Sequence, residues 1–230
     1  MSYQENRRKD MKKLVFTETA LLNEEPFTTG EIIAEQAGVE RGTVMRLINK
    51  YRERLESSGT LRFKIRPIAK TQIKTYLLNE EQAVFLVTLL RNTPQVVNFK
   101  QELSHQFIAM KNELMKRQAL RAMEKSTRLA LTDAIKDWSY VKNWSYKQIT
   151  DLICKTVTGR NTKKLKEERN VPACVSGTDV YTSEEMTKYE HLENKVITLL
   201  ALDMTYEQIK AVLSGQTIEF TILINNEKSL

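Results

Sequence analysis

The sequence predicts a mainly α fold built from an N-terminal winged helix-turn-helix, a long connecting helix and a C-terminal helical domain. Three observations predict it. A short helical pattern, a glycine and a second helical pattern fill 28–56, and a strand of alternating apolar and basic residues follows. A helical apolar period then runs from Gln95 towards Arg128 without a convincing break. From Leu129 onwards, helix starts and apolar stripes recur. The expected domains are 1–78 for the winged helix-turn-helix, 79–128 for a helical linker and dimerisation region, and 129–230 for the helical C-terminal domain.

A first helix is expected from about Lys9 to Leu22, with Met11, Leu14, Val15, Ala20, Leu21 and Leu22 as its apolar stripe. Thr28 or Thr29 then caps a short helix, GEIIAEQAG, that buries Ile32, Ile33 and Ala37 and stops at Gly38, a residue free to take the positive φ of a tight turn. Val39 is expected as a buried turn residue. A third helix starts near Arg41 and runs through RGTVMRLINKYRERLESSG, with Val44, Leu47, Ile48, Tyr51 and Leu55 on one face. This spacing places the third helix proud of the core, where it can enter a major groove. Its other positions, Arg41, Thr43, Arg46, Asn49, Lys50 and Arg52, are types that donate to base edges or phosphates. Together with Thr28 and Thr29 they form the expected DNA-binding set.

After Gly59, Leu61, Phe63 and Ile65 alternate with Arg62, Lys64 and Arg66, which reads as a half-buried strand, and a second strand follows near Gln72–Leu78. The hairpin forms a wing whose Arg62, Lys64 and Arg66 meet the DNA backbone or minor groove. Asn79 caps the next helix, with Glu80 and Glu81 in its first turn and Ala83, Val84, Leu86, Val87 and Leu90 on its apolar face.

The stretches TTGEIIAEQAGVERGTVMRLINKY at 28–51 and YLLNEEQAVFLVTLLRNTPQVVNFKQEL at 76–103 resemble the phage regulatory protein Rha family, whose members pair a TSREIAE…HDNVMRDI helix-turn-helix with a YLLTEDQALFL segment. The resemblance covers about 90 residues, from Thr28 to roughly Leu114, and implies a phage or prophage transcriptional regulator acting on double-stranded DNA. ERGT stands where the family has its His-Asp-Asn run, so base preference does not carry over.

Pro94 is placed to start the long helix, with Val97, Phe99, Leu103, Phe107, Met110, Leu114 and Met115 among its apolar positions. A helix of this length bridges two domains or pairs with its twin, and both are expected here, giving a homodimer. Beyond it, Ala130, Ile135, Trp138, Trp144, Tyr146, Ile149, Ile153 and Val157 are candidates for a second core, in a region resembling the C-terminal helical domain of phage antirepressors. Trp138, Tyr140, Trp144 and Tyr146 read as core aromatics in preference to a base-stacking platform. Ser183 and Thr205 mark two further helix starts. The tail TIEFTILI is strand-like and needs a partner strand.

The net charge of +7 is unevenly placed: +4 over 1–80, zero over 81–110, +8 over 111–170 and −5 over 171–230. Arg160, Lys163, Lys164, Lys166 and Arg169 form a basic cluster that is either a second nucleic-acid contact or a solvated face. The 41% hydrophobic content suffices for folded cores. The longest apolar runs, AVFLV and VITLLAL, fall far short of the roughly 20 residues of a membrane span, and the N-terminus lacks the apolar region of a secretory signal. A protein of the bacterial host cytoplasm, with no membrane partner, is expected. Cys154 and Cys174 suit neither a disulfide framework nor a zinc site. His105 and His191 have no triad or metal companions, and no phosphate loop, HExxH or GxSxG occurs, so neither enzyme activity nor a cofactor or metal is expected. The alternative to a DNA-binding regulator is a protein-binding antirepressor, whose acidic segment 179–207 docks a repressor or a host defence protein.

Overall fold

The computed structural model describes residues 12–68 and 71–216, and the fold is mainly helical with one small antiparallel sheet. The chain clusters into two compact units, Met1–Lys116 and Arg117–Leu230.

In the first unit, β1 (Thr28–Thr29) leads into α1 (Gly30–Ala37), α2 (Arg41–Lys50) and α3 (Arg52–Glu56). The hairpin β2 (Arg62–Ile68) and β3 (Thr71–Leu78) follows, then α4 (Glu80–Thr88) and the start of α5 (Pro94–Asp137). The Thr29 hydroxyl caps α1 by accepting from the Ile32 amide, and Gly38 ends it at φ +66. Asn79 caps α4 in a reciprocal capping box with Gln82. The sheet runs β1-β3-β2, with Thr28 opposite Leu78 and Phe63 opposite Tyr76. The β1 pairing carries no signal in the sequence, because two residues are too short for an alternation to show. Ile33, Val44, Ile48, Leu55, Leu78, Leu86, Leu103 and Phe107 lie at the centre of the core.

The expected first helix is absent over its described part. Lys12–Val15 forms no regular secondary structure, Phe16 exchanges both backbone hydrogen bonds with Phe27 at 2.8 Å, and bends follow. Val15, Phe16, Thr17 and Thr19 are weak helix formers, and the neighbours Leu14 and Val15 are both buried in the core. Met11 and residues 9–10 lie outside the described residues, as does TIEFTILI. The third helix is also divided, because Tyr51 turns the chain between α2 and α3 at φ −110, ψ 25. Val39 and Ile32 are only partly buried.

The second unit contains the later half of α5, α6 (Ser145–Thr158), α7 (Thr162–Glu168), a 3₁₀ turn at Thr178–Val180, α8 (Ser183–Ala201) and α9 (Tyr206–Leu213). Thr182, one residue before the expected Ser183, caps α8 in a box with Glu185, and Thr205 caps α9 with Gln208. Ile135, Trp138, Ile149 and Ile153 enter the core as expected, and the Trp138 indole donates to the Met204 carbonyl at 2.9 Å. Ala130, Tyr140, Trp144 and Tyr146 do not, with Trp144 59% exposed. Tyr140 and Trp144 lie in the loop between α5 and α6, where helical spacing does not apply, and Ala130 and Tyr146 fall on the outer sides of those helices.

Candidate nucleic-acid interface

α1 packs on α2 at its first residue, where a Cβ on Gly30 would sit in ordinary contact with Ile48 Cδ1 at 3.5 Å and Val44 Cγ1 at 3.7 Å. With Val44 and Ile48 buried, the opposite side of α2 presents Gly42, Arg46 and Asn49 at four- and three-residue spacing, a ridge one helical face wide. Nothing lies within 4 Å of a Cβ built on Gly42, so the backbone itself is bare there. Gly42 was not singled out in the sequence, where it reads only as a poor helix former.

Of the residues read as DNA-binding, Arg46, Asn49 and Lys50 are exposed and Thr43 is partly so. The Arg46 guanidinium folds back on its own helix, donating to the Gly42 carbonyl (3.3 Å) and the Thr43 hydroxyl (3.1 Å). Arg41 is fastened elsewhere. Its Nε donates to Glu31 Oε1 (3.1 Å) and its Nη2 to the Lys74 carbonyl (2.7 Å), while the Thr75 hydroxyl donates to the same Glu31 oxygen at 2.9 Å. Glu31, in the first turn of α1, thus ties α1, the start of α2 and β3 together. Arg52 is likewise engaged, with Glu56 (3.0 Å) and the Tyr76 hydroxyl (2.9 Å). Thr28 is fully buried and Thr29 is spent as a cap, so neither offers its hydroxyl to an outside phosphate.

The hairpin differs from the half-buried strand that was expected. Leu61 is buried, but Phe63 and Ile65 are 47% and 53% exposed, because the strands extend past the core that covers their base. Lys74 lies over the Phe63 ring at 3.7 Å on this face. On the other face, Arg62 pairs with Glu25 (3.4 Å) and Lys64 with Glu18 (3.1 Å), both also near the Phe27 ring. Arg66, further along β2, is exposed. The acidic residues of 17–26 therefore sit against two of the three basic residues read on this strand, a pairing between segments about 40 positions apart that spacing cannot reveal.

Residues 28–112 match the family of the phage regulatory protein Rha. The Rha match spans β1, α1–α4, both hairpin strands and the first part of α5, and it supports a phage regulatory role. No curated protein sequence matches the chain.

Outside the Rha segment, the basic cluster at 160–169 is largely occupied. Arg160 pairs with Glu168 (2.6 Å), Lys166 donates to the Ala173 carbonyl (2.9 Å), and Arg169 binds Glu185 (2.6 Å) and the Val180 carbonyl. Lys163 and Lys164 are exposed. In the acidic segment 179–207, Asp179 holds Arg121 at 2.6 Å, Glu185 holds Arg169, and Glu193 is buried against Arg128, while Glu184 and Glu207 are exposed. His105 and His191 are exposed on helices, Cys154 is buried and Cys174 exposed. Among the described residues no cluster of three or more His, Cys, Asp or Glu has metal-binding geometry, and no helix is long and apolar enough to cross a membrane.

Proposed function

We propose that residues 28–78 act as a winged helix-turn-helix that binds double-stranded DNA, making the chain a transcriptional regulator and not an enzyme. The observation that carries this reading is the ridge of α2: Gly42 leaves the backbone bare beside Arg46 and Asn49, the pair of side chains suited to guanine and adenine edges. α2 enters the major groove and the β2–β3 hairpin lies on the adjoining backbone. Arg46 leaves its intrahelical bonds to read a base, which costs little because both are exposed. Arg41, held by Glu31 and the Lys74 carbonyl, sets the angle between α2 and the hairpin instead of reading sequence. Arg66 meets phosphate.

The test is a mobility shift on the phage's own regulatory DNA, across a salt series and with scrambled competitor. Arg46→Ala should weaken the specific complex by about 1–3 kcal/mol and relax its specificity, whereas Arg66→Ala should weaken all sequences alike and reduce the salt slope by about 1. Unchanged binding in both variants overturns the reading. The protein-docking alternative has less to stand on, since Asp179, Glu185 and Glu193 are already engaged within the chain.

A further inference from the structure

Helix α5 has two apolar faces. One is buried, through Phe99, Leu103, Phe107, Leu114, Leu131 and Ile135. On the opposite face, Ile108, Met115, Ala122 and Leu129 recur every seven residues, and Asn112, Ala119 and Ser126 stand four residues after the first three. All seven are exposed, with Ile108 at 50%, Met115 at 60% and Leu129 at 63%. An apolar and small-residue ridge with alternating steps of four and three over 22 residues, about 33 Å of helix, has the pattern of a coiled-coil seam, and it is exposed among the described residues.

We infer that this seam pairs with a second copy of the chain, and that the two α5 helices run antiparallel with Ala119 of each facing Ala122 of the other. Two features select that arrangement. The seven-residue set is large except at Ala122, and the intervening set is small or polar. A parallel pair would stack large on large and small on small, and so alternately crowd and gap the seam. An antiparallel pair puts Met115 against Ser126 and Leu129 against Asn112, which keeps the helices evenly spaced. The flanking charges agree. Parallel pairing brings Lys116 of one copy beside Lys111 of the other, which its own Glu80 already pairs at 2.5 Å, whereas the antiparallel register sets Lys111 near Thr132, Gln118 near Lys125, and the stem of Lys116 over Met123. Met123, itself 61% exposed, meets the polar Gln118 in the parallel arrangement and the aliphatic stem of Lys116 in the antiparallel one. The inference goes beyond DNA binding and does not depend on it.

Sedimentation equilibrium of the full chain gives the first test. A dimer is expected, and Ile108→Glu combined with Met115→Glu should weaken it at least tenfold while leaving helicity unchanged, because both side chains are exposed. A monomeric wild type, or a double variant that dimerises as well as wild type, overturns the proposal. Orientation is read by spin labels on single cysteines in a Cys174→Ser background. With 1.5 Å rise per residue and helices 8–10 Å apart, antiparallel pairing predicts about 40 Å between labels at Ile108→Cys and about 10 Å at Ala119→Cys. Short distances at both sites would establish a parallel pair and overturn the orientation. Arg46→Ala does not touch this face, so loss of DNA binding with an intact dimer would separate the two readings.

Discussion

The two units solve the problem of a buried polar group in opposite ways. In the first, the fully enclosed Gln82 is neutral and its amide is saturated: Nε2 donates to the Leu55 carbonyl (3.0 Å) and the Gly59 carbonyl (2.8 Å), and Oε1 accepts from the Asn79 amide (3.1 Å). Gly59, at φ +123, lets the chain pass close to Asn79 there. In the second, Glu124 and Glu193 are both fully buried, are held by Arg121 and Arg128, and each keeps one oxygen without a hydrogen bond among the described residues. Burial, then the charge of Glu124, push the Glu193 carboxyl up to about 7 against the pull of Arg128, and burial raises Glu124 as well. The neutral knot is indifferent to pH. The charged one is not.

The largest expected effect breaks the charged side of this comparison. Arg128→Ala leaves both carboxylates without the cation that faces them and should destabilise the second unit by about 3–5 kcal/mol at pH 8, with a smaller loss at pH 5, where Glu193 holds its proton. Both tryptophans, Trp138 and Trp144, lie in this unit, so tryptophan fluorescence in a denaturant series isolates it. Equal losses at the two pH values would contradict the charge argument. On the neutral side, Gln82→Ala removes the donor to two carbonyls and should cost the first unit about 2–4 kcal/mol at either pH, read by amide hydrogen exchange in α4.

The wild-type pH profile sharpens the contrast. An unfolded glutamate titrates near 4.3, whereas folded Glu193 holds its proton up to about 7, so the folded state binds the extra proton between those values. Stability of the second unit is therefore highest at the acid end of this window and falls as pH rises through 7, by on the order of 3 kcal/mol for this group. Glu193→Gln should flatten the profile, and a variant that keeps the wild-type slope would assign it elsewhere. The smallest effect concerns the hairpin. Glu18→Gln with Glu25→Gln releases Lys64 and Arg62 from exposed pairs worth about 0–1 kcal/mol each, and should tighten DNA binding a few-fold at low salt with no change in melting. Weaker binding in that variant would mean the acidic residues support the interface.

Much of the first unit was legible because its signals are local. The cap at Thr29, the left-handed Gly38, the exposed face of α2 and the Asn79 cap each depend on residues within a turn or two of one another. The first helix was misread because Leu14, Val15 and Leu21 have helical spacing by coincidence, and the segment is instead held by distant partners, the Leu14 amide donating to Gln106 at 2.7 Å and Phe16 bridging to Phe27. In the candidate site, the exposure of Arg46, Asn49 and Lys50 followed from helical phase. The diversion of Arg41 and Arg52 and the burial of Thr28 were not found, since each depends on β3 or on the packing behind it.

By itself the sequence determined α1, the start of α2, the Thr29, Asn79 and Thr205 caps and the Rha-type segment, because periodicity and capping chemistry act over short chain distances. Tertiary structure alone decided which charges are free. Lys64 is met by Glu18, Arg62 by Glu25, Arg128 by Glu193 and Arg121 by Asp179, all across separations of more than 30 residues. An ion pair falls off with distance in space and is indifferent to distance along the chain, so no reading of spacing could have assigned those partners.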